Sequence, residues 1–360
     1  MSDIVKVDSA PIYNINLDEP LERRLKPVID GERETAKELF REARKVFHSV
    51  PQVAIELFGV AYRGFKGPYQ NELQKWADAL ETSFGEVAFV NCAYELSHLE
   101  LKFSLPELLI RWVTGCTTAV RQVDGLGMVH LRTLDWPIPA MGQGTRLFRY
   151  FDQDDGHQFI TVGFPASVGA LSGIVPGAYS VTINWAPPVR TPDFYHGPAF
   201  YLRQSLAECR TFHQIVERLQ RVHLSTGVFF TVCGTQPGEA CIIERTAREA
   251  KVRPLDSTGV EAQSNHYIAF QEYAHEHEPY REDELIRTTE ERREKMLEAA
   301  RGFSGRPSGL EGLIELLDQT QNSQTVQRMA FCPAKGELVL DRLVSKAGEE
   351  KVWLRSRWPQ

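Results

Sequence analysis

Between Gly115 and Trp136 the chain sets one cysteine directly after a glycine, then two extended runs, the second closed by Arg132 and Asp135. A thiol is a weak nucleophile until it is deprotonated, and a nearby base or cation must supply the thiolate. Cleavage between Gly115 and Cys116 would leave a thiol and a free α-amine on one residue, nucleophile and base together. The reference pKa of such an amine is about 7.7–8, close enough to neutrality for it to accept the thiol proton. That is the equipment of a self-processing cysteine amidase.

The spacing fixes where the partners fall. Asp124-Gly125 is a strong hairpin signal between the extended runs Cys116–Val123 and Met128–Leu134. With the turn at Asp124-Gly125-Leu126, Thr118 lies across from Arg132 and Cys116 across from Leu134. Asp135 then ends the strand beside the Cys116 nitrogen, and Pro137 stops it just beyond. Asp135 would hold the amine, while Arg132 would favour the thiolate and orient a substrate carbonyl. Gly115, without a Cβ, would let the scissile carbonyl approach the thiol and would tolerate a strained backbone. On these residues alone a second reading stays open, in which Cys116 is a buried core thiol and Arg132 and Asp135 form a rim salt bridge.

The elements that must position this hairpin change character near residue 115. Upstream, helical spacing dominates: Ala36, Leu39, Phe40, Ala43, Val46 and Phe47 share one face. Val53–Tyr62, Leu73–Leu80 and Val87–Leu96 read as further helices. Ser104 and Glu107 make a capping box ahead of a helix over Leu108–Val113. Downstream the extended runs are Arg146–Phe151, Gln158–Gly163, Tyr179–Asn184, Val228–Gly234, Ala240–Arg245, Thr325–Cys332, Gly336–Leu343 and Lys351–Leu354. Helices are expected over Pro198–Ala207, Phe212–Val222, Asp283–Ala300 and Leu310–Leu317, the last with a Ser308/Glu311 capping box. Many strands with helices grouped between hairpins predict an α+β fold, a four-layer αββα sandwich with a helical N-terminal segment packed on it. The division expected is 1–115 and 116–360, the two chains that self-cleavage would leave.

Composition bounds the class. A 360-residue chain with a net charge of −7 and no basic stripe interleaved with aromatics is not expected to bind nucleic acid. The first residues show neither a positive n-region nor an apolar h-region, and no apolar run is long enough to span a bilayer, so the expected location is cytoplasmic. Six scattered cysteines without a CxxC pair read as reduced, mostly buried thiols. No nucleotide-binding glycine loop occurs, and neither a metal nor an organic cofactor is expected.

The hairpin, with Cys116 at its start and Arg132-Thr-Leu-Asp135-Trp at its end, resembles the cysteine N-terminal-nucleophile hydrolases, and within them the acid ceramidase and N-acylethanolamine acid amidase branch; the choloylglycine hydrolases are more distant. The likeness runs over most of the chain, through segments beginning at Tyr13, Val90, Gly173, Gly234 and Ser264. It implies Cys116 as nucleophile with Arg132 and Asp135 as its supports. Asn184 matches a position that helps form an oxyanion hole, and Asn265 another residue of the site; losing one such donor typically costs about 2.7–4 kcal/mol of barrier. A later arginine of the family's site matches Arg292, with Arg287 as the alternative. Read without the family, both asparagines suit turns and Arg292 suits a solvated helix face with i,i+4 charge pairs.

Three features depart from the family pattern: Trp185 stands where the lipid amidases have an acidic residue, extra sequence fills Ser97–Val113, and the secretory signal is missing. The resulting expectation is an autocatalytically processed amidohydrolase acting on linear N-acyl amides such as N-acylethanolamine or ceramide-like molecules, its two chains staying associated. The alternatives are a choloylglycine hydrolase-like or penicillin acylase-like amidase, an acyltransferase, or an unprocessed lipid- or amide-binding protein. Val53–Tyr62 is apolar enough to line an acyl channel or touch a membrane surface transiently, although core packing is the commoner use. His275-Glu-His277-Glu lacks a third ligand and reads as an exposed acidic loop, and His130 as a hydrogen-bonded strand histidine.

Overall fold

The computed structural model describes residues 5–7, 10–64, 69–103, 115–189, 196–278, 284–303, 309–344 and 352–359. The expected helix over Leu108–Val113 with its capping box, and Ser308 of the second box, lie outside the described residues. The chain opens with strands β1 (Val5–Val7) and β2 (Ile12–Asn16), then helices α1 (Leu21–Val46), α2 (Gln52–Gly64), α3 (Gln70–Leu80), α4 (Phe84–Asn91) and α5 (Ala93–Phe103). The hairpin β3 (Gly115–Val123) and β4 (Gly127–Asp135) follows, then the short α6 (Ala140–Gln143) and strands β5 (Arg146–Phe151), β6 (Gln158–Gly163), β7 (Ser172–Val175) and β8 (Tyr179–Trp185). Helices α7 (Pro198–Glu208) and α8 (Phe212–Arg221) lead to β9 (Val228–Cys233), β10 (Ala240–Arg245), β11 (Ala250–Pro254) and β12 (Val260–Gln263). The chain closes with α9 (Glu284–Arg287), α10 (Thr289–Gly302), α11 (Glu311–Ile314), β13 (Thr325–Cys332), β14 (Glu337–Val344) and β15 (Val352–Trp358).

Among the described residues these strands form two sheets, one ordered β1-β15-β14-β13-β4-β3-β12 and the other β11-β10-β9-β8-β7-β6-β5-β2. The sheets face each other through β3 and β4 against β8 and β9. α10 and α11 cover the outer face of the first sheet, and α7 and α8, with the α1–α4 cluster, cover the second. This is the expected αββα layering. One element of the reading needed tertiary information. The N-terminal segment adds a parallel edge strand to each sheet, β1 on β15 and β2 on β5, besides packing its helices on them.

Alternation along β3 explains how one strand serves two neighbours. Thr118 points between the sheets and shares a hydrogen bond with Thr231 on β9, while Ala119 joins the apolar cluster of Met296 and Leu297 on α10. Two helices break where continuous ones were expected. Val87–Leu96 is divided at Cys92 between α4 and α5, and Asp283–Ala300 is divided at Thr288 between α9 and α10. α11 has Leu310 at its N-cap with no side-chain cap.

α2 corrects a second expectation. Its apolar residues do not all enter the core: Ile55 and Gly59 are buried, but Val53, Leu57 and Val60 are 65%, 64% and 70% exposed. The buried face is narrow because α2 meets α4 glycine to glycine; a Cβ on Gly59 would fall 2.5 Å from Gly85 Cα. No helix among the described residues is long and apolar enough to cross a membrane.

Candidate active site

The hairpin has the register read from its turn. Gly115 pairs with Asp135, Cys116 with Leu134 and Thr118 with Arg132. Gly125 and Gly127 take φ of 80° and 88°, the left-handed conformation a tight turn requires of one strand feeding back on another. Gly115 is different. Its backbone is not left-handed, so the strain expected there is absent, and what it supplies is space. A Cβ would fall 2.8 Å from Leu285 Cδ2 and 3.0 Å from Asp135 Oδ2.

Arg132 crosses the gap between the sheets. Nη1 donates to Leu171 O and Ser172 Oγ, and Nη2 donates to Ile183 O at 2.9 Å and to Cys116 Sγ at 3.3 Å. The guanidinium is fully buried, and among the described residues no carboxylate pairs with it. A buried cation without an anion is expensive unless something nearby becomes negative. The sulfur is the group in reach that can.

Arg292 approaches Cys116 from the other side of the sheet. Nη1 donates to Cys116 O at 2.9 Å and Thr117 Oγ1 at 2.6 Å, and Nη2 to Asn265 Oδ1 at 2.9 Å and Leu285 O at 2.7 Å. It lies 3.6 Å from Asp135 Oδ2, whose partner oxygen Oδ1 accepts from Thr325 Oγ1 at 2.7 Å. The charge-paired, solvated face is real but belongs to its neighbours, as in Lys295 with Glu291. Arg287 is exposed, so geometry selects Arg292.

The two asparagines differ. Asn265 Oδ1 accepts from Cys116 N at 3.1 Å, and its Nδ2 gives one hydrogen to Trp185 O at 2.8 Å, keeping the second. Asn184 Nδ2 donates to Gln263 O at 3.0 Å and Ser264 O at 3.1 Å, with Cys116 O farther at 3.4 Å. Both hydrogens of Asn184 are thus used in bracing β8 to the end of β12 and the residue that follows it, just before Asn265.

Burial raises the Cys116 thiol above its ordinary value, with Arg132 and Arg292 opposing and Asp135 assisting. Burial also raises the Asp135 carboxyl, against the pull of Arg292. In the continuous chain burial thus favours the protonated sulfur, and among the described residues no side chain accepts a hydrogen bond from it. All six cysteines are free and buried, so burial does not single out Cys116; the guanidinium does.

Cys116, Arg132 and Leu134 line a cavity of about 90 Å³, whose walls include Phe40 of α1, Tyr94 of α5, Trp136, Phe164, Ile183 and Trp185. The walls are overwhelmingly apolar, as is usual for small-molecule sites. Tyr94 and Leu285 border the site without having been singled out as site residues, and Trp185, noted from the sequence as a departure from the family pattern, borders it too. His130, between Ser180 Oγ at 3.1 Å and Thr182 Oγ1 at 3.0 Å, is the hydrogen-bonded strand histidine expected. His277 departs from the exposed-loop reading: it is buried, with Nε2 3.3 Å from Glu290, while His275 stays in solvent.

No family model matches the chain. The N-acylethanolamine-hydrolyzing acid amidase of Caenorhabditis elegans is 26% identical over 257 residues, covering 68% of this chain and 70% of that protein. The acid ceramidase of Heterocephalus glaber is 24% identical over 278 residues, covering 67% of this chain and 64% of that protein, just under two thirds of its length. A solved structure, the C. elegans N-acylethanolamine-hydrolyzing acid amidase ortholog, aligns at 21% identity with a TM-score of 0.48 over 61% of this chain and 93% of that one. Over about two thirds of its length the chain is thus similar to N-acylethanolamine-hydrolyzing acid amidase and acid ceramidase.

Proposed function

We propose that this protein is an amidohydrolase that cuts its own Gly115–Cys116 bond and then hydrolyses linear N-acyl amides with apolar acyl chains, N-acylethanolamines or ceramide-like molecules among them. One observation carries the reading: the Arg132 guanidinium, buried without a carboxylate, donates to the Cys116 sulfur at the floor of an apolar cavity. After cleavage the Cys116 α-amine takes the thiol proton, and the thiolate adds to the substrate carbonyl. The remaining Nδ2 hydrogen of Asn265 is the donor available to the oxyanion. Collapse expels the amine, protonated by the α-ammonium, and leaves an acyl thioester on Cys116. Water, deprotonated by the same α-amine, hydrolyses the thioester and regenerates the thiol. Asp135 and Asn265 Oδ1 hold the amine throughout. The acyl chain occupies the cavity between α1 and the sheet.

We assign to the exposed Val53, Leu57 and Val60 stripe of α2 a transient contact with the lipid surface from which such substrates are drawn. The two chains stay together after cleavage, because β1, β2 and α1 are built into the sheets and cores of the remainder.

Denaturing electrophoresis tests the processing. Wild-type protein should resolve into two fragments, the larger beginning at Cys116, and Cys116→Ala should stay whole. A variant that still splits at this bond would remove the thiol from the mechanism. A hydrolysis screen of processed enzyme over N-acylethanolamines, ceramides, N-acyl amino acids and conjugated bile salts then identifies the amide.

A further inference from the structure

One face of α5 is laced to the end of β8 through Tyr94, Ser97 and His98, spaced i, i+3 and i+4. Tyr94 Oη donates to Gly227 O at 2.9 Å and accepts from Ala186 N at 3.4 Å. Ser97 Oγ donates to Tyr94 O at 2.7 Å and accepts from Trp185 Nε1 at 3.4 Å. His98 is fully buried, with Nδ1 2.9 Å from Tyr94 O and Nε2 2.9 Å from Ala186 O. Its ring centroid lies 5.1 Å from that of Tyr94 and 5.5 Å from that of Trp185, the two aromatics that wall the cavity above Cys116.

Both partners of His98 are carbonyl oxygens, which have no proton to give. A neutral imidazole owns one N–H and must turn a lone pair on the other carbonyl, whereas the imidazolium satisfies both. Burial works against the charge and pushes the ring down to about 4, with the two carbonyls pulling upward. The fully bonded ring therefore belongs to acid solution. No charged side chain among the described residues competes with it. Glu95 on the same helix turns its carboxyl to Gly197 at the start of α7, the Tyr94 hydroxyl is given to Gly227 O, and on the α9–α10 side Arg292 is engaged with Cys116 and Asn265.

We propose that His98 is a positioning residue for the Cys116 site, holding α5 on the Trp185–Ala186 end of β8 as an imidazolium that donates from both nitrogens. This rests on the amidase reading above. The route to the sulfur is short: Trp185 O accepts from Asn265 Nδ2 at 2.8 Å, and Asn265 Oδ1 accepts from Cys116 N at 3.1 Å. When the ring loses its second proton, one of its two ties is released. The strand end that braces Asn265 loosens, and with it the Tyr94 and Trp185 walls.

The test is the pH profile of kcat/KM for hydrolysis of an N-acyl amide by processed wild type and His98→Asn, from about pH 3 to about pH 7. Wild type should gain activity toward acid relative to His98→Asn. His98→Asn should lose that limb, falling about tenfold below wild type at the acid end and converging with it near neutrality. A variant profile of unchanged shape, merely lowered throughout, overturns the proposal. In the uncleaved Cys116→Ala chain, which needs no turnover, NMR of ¹⁵N-histidine-labelled protein should show two His98 ring N–H groups at about pH 3 and one at about pH 7. A single N–H at the acid end overturns it even if His98→Asn fails to fold. Wild type that hydrolyses no amide at any pH refutes the amidase reading itself; active wild type with an unaltered limb in His98→Asn refutes the role of His98 alone.

Discussion

Arg132→Met separates a working guanidinium from a structural one. Arg132 donates to Cys116 Sγ at 3.3 Å inside a fully buried site. A hydrogen bond to a charged partner contributes about 1.5–3 kcal/mol, so its loss should raise the pKa of Cys116 by about 1–2. The thiolate fraction near neutrality then falls about 10- to 100-fold, but a more basic thiolate is more nucleophilic and recovers nearly half of that on a logarithmic scale. The nucleophile's own contribution to kcat/KM should therefore drop about 3- to 12-fold, with the loss of carbonyl orientation added to it. Stability should respond less. Removing the side chain strands Leu171 O, Ile183 O and Ser172 Oγ, at about 1–3 kcal/mol each, while relieving a buried cation's desolvation of several kcal/mol. The assay is iodoacetamide alkylation of processed enzyme against pH, with a thermal melt as control. An alkylation midpoint that does not move in a folded Arg132→Met protein would refute the thiolate argument.

Two further predictions follow from groups away from the sulfur. Both carboxyl oxygens of Glu95 are buried without hydrogen-bond partners, and burial raises its pKa from 4.5 to about 7. The folded state then holds this proton more tightly than the unfolded one, so the penalty is full well above pH 7 and gone below the unfolded value. Glu95→Gln should gain up to about 3 kcal/mol over wild type at alkaline pH and nothing in acid; equal denaturant midpoints for the two proteins at both extremes would contradict this. Replacing Val53, Leu57 and Val60 by lysine should weaken flotation with phosphatidylcholine vesicles by about tenfold or more, while hydrolysis of a soluble short-chain amide stays at the wild-type rate. Undiminished vesicle binding would remove α2 from the lipid contact.

What sequence made legible here was local. Asp124-Gly125 set the hairpin register by counting, and the register put Arg132 one pair from Cys116 and Asp135 at the strand end. The 3.6-residue face of α1 was equally plain, and Ala36, Leu39, Phe40, Ala43 and Phe47 are all buried. Elements without their own periodicity escaped: β7, β11 and β12 have four or five residues each, too few for alternation to register. β1 and β2 are strands only because β15 and β5 lie beside them. Arg292 shares its helix with residues that do form i,i+4 pairs, so its inward turn depends on where α10 lies on β3, which no spacing within the helix encodes. The exposure of α2 is of the same kind, set by the Gly59–Gly85 contact between two helices far apart in sequence.

The site's charges explain why cutting the chain would be the event that makes an enzyme of it. Before cleavage the buried pocket holds two guanidiniums, Arg132 and Arg292, against one carboxylate, Asp135, whose proton affinity burial itself increases. An excess of positive charge favours a thiolate, but a thiolate forms only if something accepts the proton. The Cys116 nitrogen is an amide that donates to Asn265 Oδ1, and an amide has no lone pair to offer. His130, His98 and His266 are held elsewhere, by strand hydroxyls, by two carbonyls and by Thr289 Oγ1 respectively. Breaking the peptide bond would change that one nitrogen from donor to base. The thiol and the amine that deprotonates it would then share one residue, beside the Arg132 guanidinium that favours the thiolate.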